Sequence, residues 1–290
     1  MSNNSAASPR SGPRILEPAR ILYMDAQCIA VNKLCGEALE GAGAGMGDLP
    51  AMIERCLSEN NVSLAEQFPA TENFFADGRL STPVAAHRLD VPVSGCSLFA
   101  RTREALHFLN EAFAAALGGN ETAAGAGADT AGASTAIEKR YWAIVEQPRA
   151  ELPQSGNLLH WLEFDSKKNK SRAYDKRGPG RKKAALAYRT VGAGRNYLFL
   201  EIQLFTGRHH QIRCQFERMG LHIKGDLKYG ARRSEVNGGI RLHARSLAFP
   251  RPAGGGRVSV QAEPPLMDNL WQAFTEQYDR FVSSVGGGVC

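Results

Sequence analysis

Tyr197-Leu198-Phe199-Leu200-Glu201-Ile202-Gln203-Leu204-Phe205, followed at once by Thr206-Gly207-Arg208-His209-His210-Gln211-Ile212-Arg213, is the stretch whose reading decides the fold. Leu198, Leu200, Ile202 and Leu204 recur at every second position, so Tyr197–Phe205 reads as a strand with one apolar face. The period then changes. Ile212, Phe216 and Met219 share one side of a helix expected over Gly207–Met219, with Arg208 and Arg213 off it. Thr206 is placed to cap that helix, whose free N–H groups attract anions. Working outward, β-type composition predicts strands at Tyr141–Val145, Leu158–Phe164, Ala185–Val191, Arg241–Phe249 and Arg257–Gln261, and earlier at Ile21–Asp25 and Cys28–Asn32. Helices are expected over Leu49–Ser58, Thr102–Leu117 and Pro265–Val282. Gly254–Gly256 suits a hairpin turn. Successive strands with short turns and few helices indicate an α+β fold, a mostly antiparallel mixed sheet flanked by helices, rather than βαβ repeats.

The length, 290 residues, and a 43% hydrophobic content fit a globular chain and exclude overall disorder. No apolar run approaches the roughly 20 residues of a membrane span. Met1–Arg14 has no apolar signal core, so a cytoplasmic protein with no membrane partner is expected. Residues 1–14 read as a disordered tail, 15–282 as one domain and 283–290 as a flexible tail. The Ala/Gly-rich stretches 41–47 and 118–134 read as mobile excursions. Six cysteines without a CxxC pair indicate buried, reduced thiols, with neither a disulfide frame nor a zinc site.

Charge is concentrated in one place. Residues 167–183 hold nine basic side chains and one acid, Asp175, for a local charge of +8 in a chain of net +6. The remainder is therefore net −2. Such a block suits a polyanion, and it equally suits a solvated loop.

Three segments combine charge with apolar surroundings. His87-Arg88-Leu89-Asp90 precedes a Pro/Gly turn ending in Ser94-Gly95. A carboxylate there needs a paired cation or water, though a turn-capping Asp beside an exposed Arg would look the same. Residues 208–213 gather two arginines, two histidines and a glutamine, a dense phosphate-binding set. Adjacent His209 and His210 are expected to face different ways, which argues against a metal. Lys139-Arg140-Tyr141-Trp142 is a strand with aromatics among basic residues, which an ordinary core strand starting at a charged loop would also give.

In order and wording these segments resemble the RluA-type pseudouridine synthases, which isomerise uridine in structured RNA. His87-Arg88-Leu89-Asp90 with Ser94-Gly95 matches that family's aspartate segment, and Lys139-Arg140-Tyr141 its K-x-Y strand. Thr206–Arg213 matches T-G-R-x-H-Q-I-R, Gly225-Asp226-Leu227-Lys228-Tyr229-Gly230 a G-D-x-x-Y-G block, and Leu242-His243-Ala244 a late L-H-A strand. The similarity runs from about Ile21 to Phe249. Val93, Gln215 and His222 depart from the usual residues. The resemblance implies a pseudouridine synthase fold with a central active-site cleft in the 15–282 domain. It implies Asp90 as catalytic carboxylate, Tyr141 as active-site tyrosine and Arg213 as partner of Asp90. It implies that Arg88 fills the space left by a flipped base, and that Leu89 and Ile212 pack around that base.

No cofactor or metal is expected, since the isomerisation involves no redox change. The expected partner is structured RNA, ribosomal or transfer, with no DNA, bound by a monomer. Arg208, His209, Lys167, Lys168, Lys170, Arg172, Lys182 and Lys183 are the expected RNA contacts, with 167–183 acting as a flap on the backbone. Two rivals stay open on sequence alone: an RNA-binding protein without catalysis, and a hydrolase built from Ser94, His209 and Asp90. An isomerase leaves the mass of the RNA unchanged and a hydrolase does not.

Overall fold

Alternating apolar positions build one large twisted sheet, seen in a computed structural model that describes residues 15–42, 47–68, 79–118, 137–252, 254 and 256–286. In chain order the strands are β1 (Ile21–Met24), β2 (Cys28–Lys33), the short pair β3 (Glu37–Ala38) and β4 (Gly47–Asp48), β5 (Arg79–Ala85), β6 (Ser94–Thr102), β7 (Glu138–Glu146), β8 (Ser155–Asp165), β9 (Lys170–Tyr174), β10 (Lys182–Ala193), β11 (Tyr197–Leu204), β12 (Leu242–Pro250) and β13 (Arg257–Gln261). The helices are α1 (Leu49–Glu59), α2 (Asn61–Gln67), α3 (Arg103–Gly118), α4 (Gln211–Arg218) and α5 (Asn269–Gly286).

Eleven strands form the main sheet, in the order β1-β2-β6-β12-β7-β11-β10-β8-β9, with β13 on β12 and β5 on β6. Every pairing in it is antiparallel except β6 with β12, which run parallel through His243–Ser94 and Ala244–Gly95. That junction lies mid-sheet, where the two halves of the chain meet. The α+β expectation therefore holds, as does each strand foreseen, within a few residues.

β11 shows why the fold closes. Leu200, Ile202 and Leu204 enter a core with Ile212 and Phe216 of α4. Its other face is not left to solvent: Phe199 packs with Trp271 and Phe274 of α5, and Glu201 is 3% exposed. Burying Trp271 and Phe274 contributes about 1.5–3 kcal/mol each. A third cluster sets α3 on β2, β6 and β12, and a fourth sets α1 against β1 and β2.

Three boundaries differ from the sequence reading. α4 starts at Gln211, not Gly207. Thr206 does not cap it; its hydroxyl accepts from Ala185 N (2.9 Å) and donates to Gln211 Oε1 (2.7 Å). Gln211 Oε1 also accepts from Arg208 N (3.0 Å), so a side chain closes 207–210 into a turn. α5 starts at Asn269, not Pro265, because Asp268 Oδ1 accepts from Trp271 N (3.2 Å) as its cap. It runs to Gly286, so 283–286 are helix and not the flexible tail expected; 287–290 lie outside the described residues. The same holds for the tail at 1–14 and for most of the excursions at 41–47 and 118–134. Among the described residues no helix is long and apolar enough to cross a membrane.

Candidate active site

Asp90 stands on the loop between β5 and β6, and that loop is tied down from four sides. His87 Nε2 accepts from Leu98 N (3.1 Å) while its ring stacks on Phe113. Burial pushes its pKa down to about 4, so the ring is neutral and free to accept. Ile240 N donates to Pro92 O, and Gly36 N to Val91 O. Lys33, fully buried, donates from Nζ to Leu34 O (3.0 Å), Asp90 O (3.2 Å), Val91 O (3.0 Å) and Val93 O (2.6 Å). Nothing in its sequence setting marks this lysine, and the sequence reading missed it.

Ser94-Gly95 follows the loop for steric reasons. Gly95 has φ +115°, and a Cβ on it would lie 2.3 Å from Ala244 O, so only glycine lets β6 and β12 run this close. Ser94 Oγ bonds His243 Nδ1 (2.9 Å), and His243 Nε2 bonds Ala262 O (2.8 Å). Ser94 is thus committed to His243. His209 bonds Ser171 Oγ (2.8 Å) and Asn169 Oδ1 (3.1 Å). The Ser94–His209–Asp90 hydrolase arrangement is not assembled.

Asp90 Oδ2 accepts from Arg213 Nη1 (3.0 Å). Arg213, 5% exposed, is held from behind by Asp226: Nε to Oδ2 at 2.7 Å and Nη2 to Oδ1 at 2.8 Å. Burial opposes the guanidinium charge, but the Asp226 bonds and the two carboxylates outweigh it and hold its pKa above the ordinary value. The sequence reading quoted Asp226 in its motif without giving it this task. Tyr229, in the same motif, bonds His210 Nδ1 (2.8 Å) through its hydroxyl. His210 Nε2 lies 3.6 Å from Asp90 Oδ2. Burial, with Arg213 nearby, pushes His210 far down, so this imidazole is neutral. The two histidines do not face apart as expected. Their rings stack, with centroids 3.7 Å apart, because His210 takes a left-handed backbone, φ 50°. No cluster able to hold a metal ion occurs among the described residues.

The loop, β7 and the 207–213 segment enclose a cleft of about 210 Å³. Asp90, Tyr141 and Arg213 all line it, so three parts of the chain meet there. Tyr141 is 6% exposed, and burial with the Asp90 charge raises its phenol above the usual value, so it stays protonated. Leu89 and Ile212 supply apolar wall together with Leu204 and Leu242. Asp90 Oδ1 makes no hydrogen bond with any described residue. Arg88 is exposed at the rim, where a second cleft of about 450 Å³ begins, lined by Asn169, His209 and Lys228. Arg208 and Lys139 line the inner cleft.

The basic block is not one loop. Lys167 and Lys168 sit exposed in the β8–β9 turn, Lys170 and Arg172 belong to β9, and Lys182 and Lys183 open β10. Some of its charge is already matched: Lys170 pairs with Glu217 (2.9 Å) and Arg181 with Glu163 (3.5 Å). Arg177 lies over the Trp161 ring. Four of its nine basic residues lie in β9 and β10 and the other five in the connections flanking β9, so the block is not a single free flap.

A large mixed sheet thus carries a carboxylate–guanidinium pair and a buried phenol in one apolar-walled cleft. The model of the RNA pseudouridylate synthase family matches residues 27–218, and the chain belongs to that family of RNA isomerases. It is 29% identical over 251 residues to an uncharacterized RNA pseudouridine synthase of Synechocystis sp., covering 86% of this chain and 66% of that protein. It is 25% identical to ribosomal large subunit pseudouridine synthase D of Zymomonas mobilis, covering 86% and 70%. It is also 25% identical to tRNA pseudouridine synthase C of Haemophilus ducreyi, covering 89% and 95%. The fold is similar to that of human RNA pseudouridylate synthase domain containing 4, with TM-score 0.56 at 17% identity over 90% of this chain and 93% of that one.

Proposed function

We propose that this chain converts one or a few uridines of ribosomal or transfer RNA to pseudouridine, with Asp90 as the catalytic carboxylate. The observation that carries the reading is the setting of Asp90: one oxygen sits on Arg213 while the other bonds none of the described residues at a cleft shared with Tyr141. In the reaction the N1–C1′ bond breaks, the base turns, and C5 joins C1′. The C5 proton leaves and N1 takes one up, so mass is conserved. The Asp90 carboxylate attacks or deprotonates at the sugar and later departs. Arg213 keeps it aimed through the 3.0 Å bond to Oδ2, and Asp226 keeps Arg213 from following substrate. Tyr141 stacks on uracil and assists removal of the C5 proton.

To enter, the uridine leaves its stack at a cost of about a few kcal/mol. Arg88 at the rim fills the vacated place, and Leu89 and Ile212 hold the base. Backbone phosphates meet Arg208, His209, the exposed Lys167, Lys168, Arg172 and Lys182 of the block, and the half-buried Lys183. Lys170 contributes less, because Glu217 already pairs it. We further propose that it acts as a monomer in the cytoplasm, on RNA and not DNA. We propose 15–282 as the catalytic unit.

Pseudouridine mapping of a deletion strain against its parent identifies the target. Tritium release from 5-tritiated uridine RNA then tests the residues. Asp90→Asn abolishes release, and Tyr141→Phe loses release while keeping RNA affinity. Wild-type release by Asp90→Asn would falsify the assignment.

A further inference from the structure

The cleft contains a second functional feature that the isomerisation chemistry does not use. Lys139 lies on the same face of β7 as Tyr141, two positions away, or about 6.6 Å along the strand. It is 7% exposed and lines the cleft. Its ammonium makes no hydrogen bond or ion pair with any described residue; what it meets is the Phe113 ring, 5.8 Å to the centroid. Lys33, fully buried, has four carbonyl partners. A desolvated cation left without an acceptor is costly, and folding alone gives no reason to keep it. Here the cost is compounded: burial, then the charge of Arg208, pushes Lys139 down to about 8.

Arg208 bonds Lys183 O through Nε (3.2 Å) and pairs with no carboxylate among the described residues. Gly207 lies between the two cations. A Cβ there would come within 3.4 Å of Lys139 Nζ, so glycine leaves the ammonium open to the cleft. Two neighbouring cations, one nearly dry and neither paired to an acid among the described residues, make a site that an anion relieves.

We propose that Lys139 and Arg208 form a phosphate subsite, which grips the RNA backbone beside the flipped uridine while Tyr141 holds the base. This rests on the synthase reading above. The separation of Lys139 from Tyr141 along one strand is of the order of that between a nucleotide's base and its own phosphate. The cost of burying the lysine in the free protein is returned when the phosphate arrives, so binding and base insertion are coupled.

The test has two arms. In the first, thermal unfolding of the full chain is followed in inorganic phosphate and in sodium chloride of equal ionic strength. The wild type gains Tm specifically in phosphate, and Lys139→Met loses that gain. Lys139→Met also has a higher Tm than wild type in chloride, because an unpaired buried charge is gone; a structural lysine would lower it. Lys139→Arg keeps the phosphate response. In the second arm, a synthetic stem–loop carrying the mapped uridine has each flanking phosphate replaced in turn by a methylphosphonate. One replacement raises the wild-type KM about tenfold with kcat little changed, and costs Lys139→Met less than twofold. An equal penalty in both proteins, or an undiminished phosphate response in Lys139→Met, overturns the subsite. Absence of pseudouridine from the unmodified stem–loop with wild type overturns the synthase reading instead, and the phosphate arm still decides Lys139.

Discussion

Two lysines of this chain are buried, Lys33 fully and Lys139 to 7% exposure, and predict different outcomes on removal. Burial pushes both Lys33 and Lys139 down to about 8. At pH 7 both are charged, and replacing either with methionine regains a similar desolvation cost. The difference between the two variants therefore isolates what the ammonium does in place. Lys139 releases nothing. Lys33 releases four carbonyls, of which Asp90 O keeps Val93 N and Val91 O keeps Gly36 N. Leu34 O and Val93 O lose the bond that Lys33 gave them. At about 1–3 kcal/mol for each buried acceptor left unsatisfied, Lys33→Met should be about 2–6 kcal/mol less stable than Lys139→Met. Urea unfolding at pH 7, read by fluorescence of Trp142, Trp161 and Trp271, measures both. Because three of the four released carbonyls, those of Asp90, Val91 and Val93, belong to the Asp90 loop, Lys33→Met also lowers kcat. A displacement of about 1 Å costs on the order of a hundredfold. Equal stability of the two variants, or a Lys33→Met enzyme with wild-type kcat, would refute the reasoning.

Further outcomes follow from other interactions. Asp90→Asn leaves Arg213 bidentate on Asp226, so its stability stays within about 1 kcal/mol of wild type, whereas Asp226→Asn leaves a buried guanidinium half-paired and costs about 3–5 kcal/mol in urea titration. His243, fully buried and bonded to Ser94, has its pKa pushed down to about 4 by burial. The unfolded chain then binds the extra proton between pH 6.5 and 4. Stability from this residue is complete above 6.5 and falls by up to about 3.4 kcal/mol as pH drops to 4. His243→Gln reduces that slope without abolishing it, because buried His87 and His210 are held neutral too, and a wild-type urea midpoint independent of pH in this window would contradict it. Neutralising Lys167, Lys168, Arg172 and Lys182 together should reduce the slope of log affinity against log salt by about 0.7–0.9 for each RNA phosphate that is no longer neutralised, with turnover at saturation unchanged. An unchanged slope would make these four residues bystanders.

Much of the fold was legible because its strands alternate. Those that escaped did so for a physical reason: all nine residues of β6 are buried, so it has no polar face to give a period. β9 hid inside the basic block, where charge masked its pattern. The site was legible as motifs, through resemblance, and Asp90, Tyr141 and Arg213 do converge on one cleft. The pairing of His209 with His210 was misjudged, since helical geometry was assumed where His210 takes a left-handed backbone.

By itself the sequence determined the residue types, their order and the strand-to-helix switch at 197–213, since these depend on local spacing. Only the tertiary structure decided the partners. Arg213 reaches Asp90 across 123 residues and is steadied by Asp226; Lys33 lies beneath a loop 57 residues on. Ser94 belongs to His243, 149 residues away, and not to His209. A buried cation with four acceptors and one with none are the same letter in a sequence. What separates them is which carbonyls the folded chain brings within hydrogen-bond reach, and that is fixed by sheet order and register, not by neighbours along the chain.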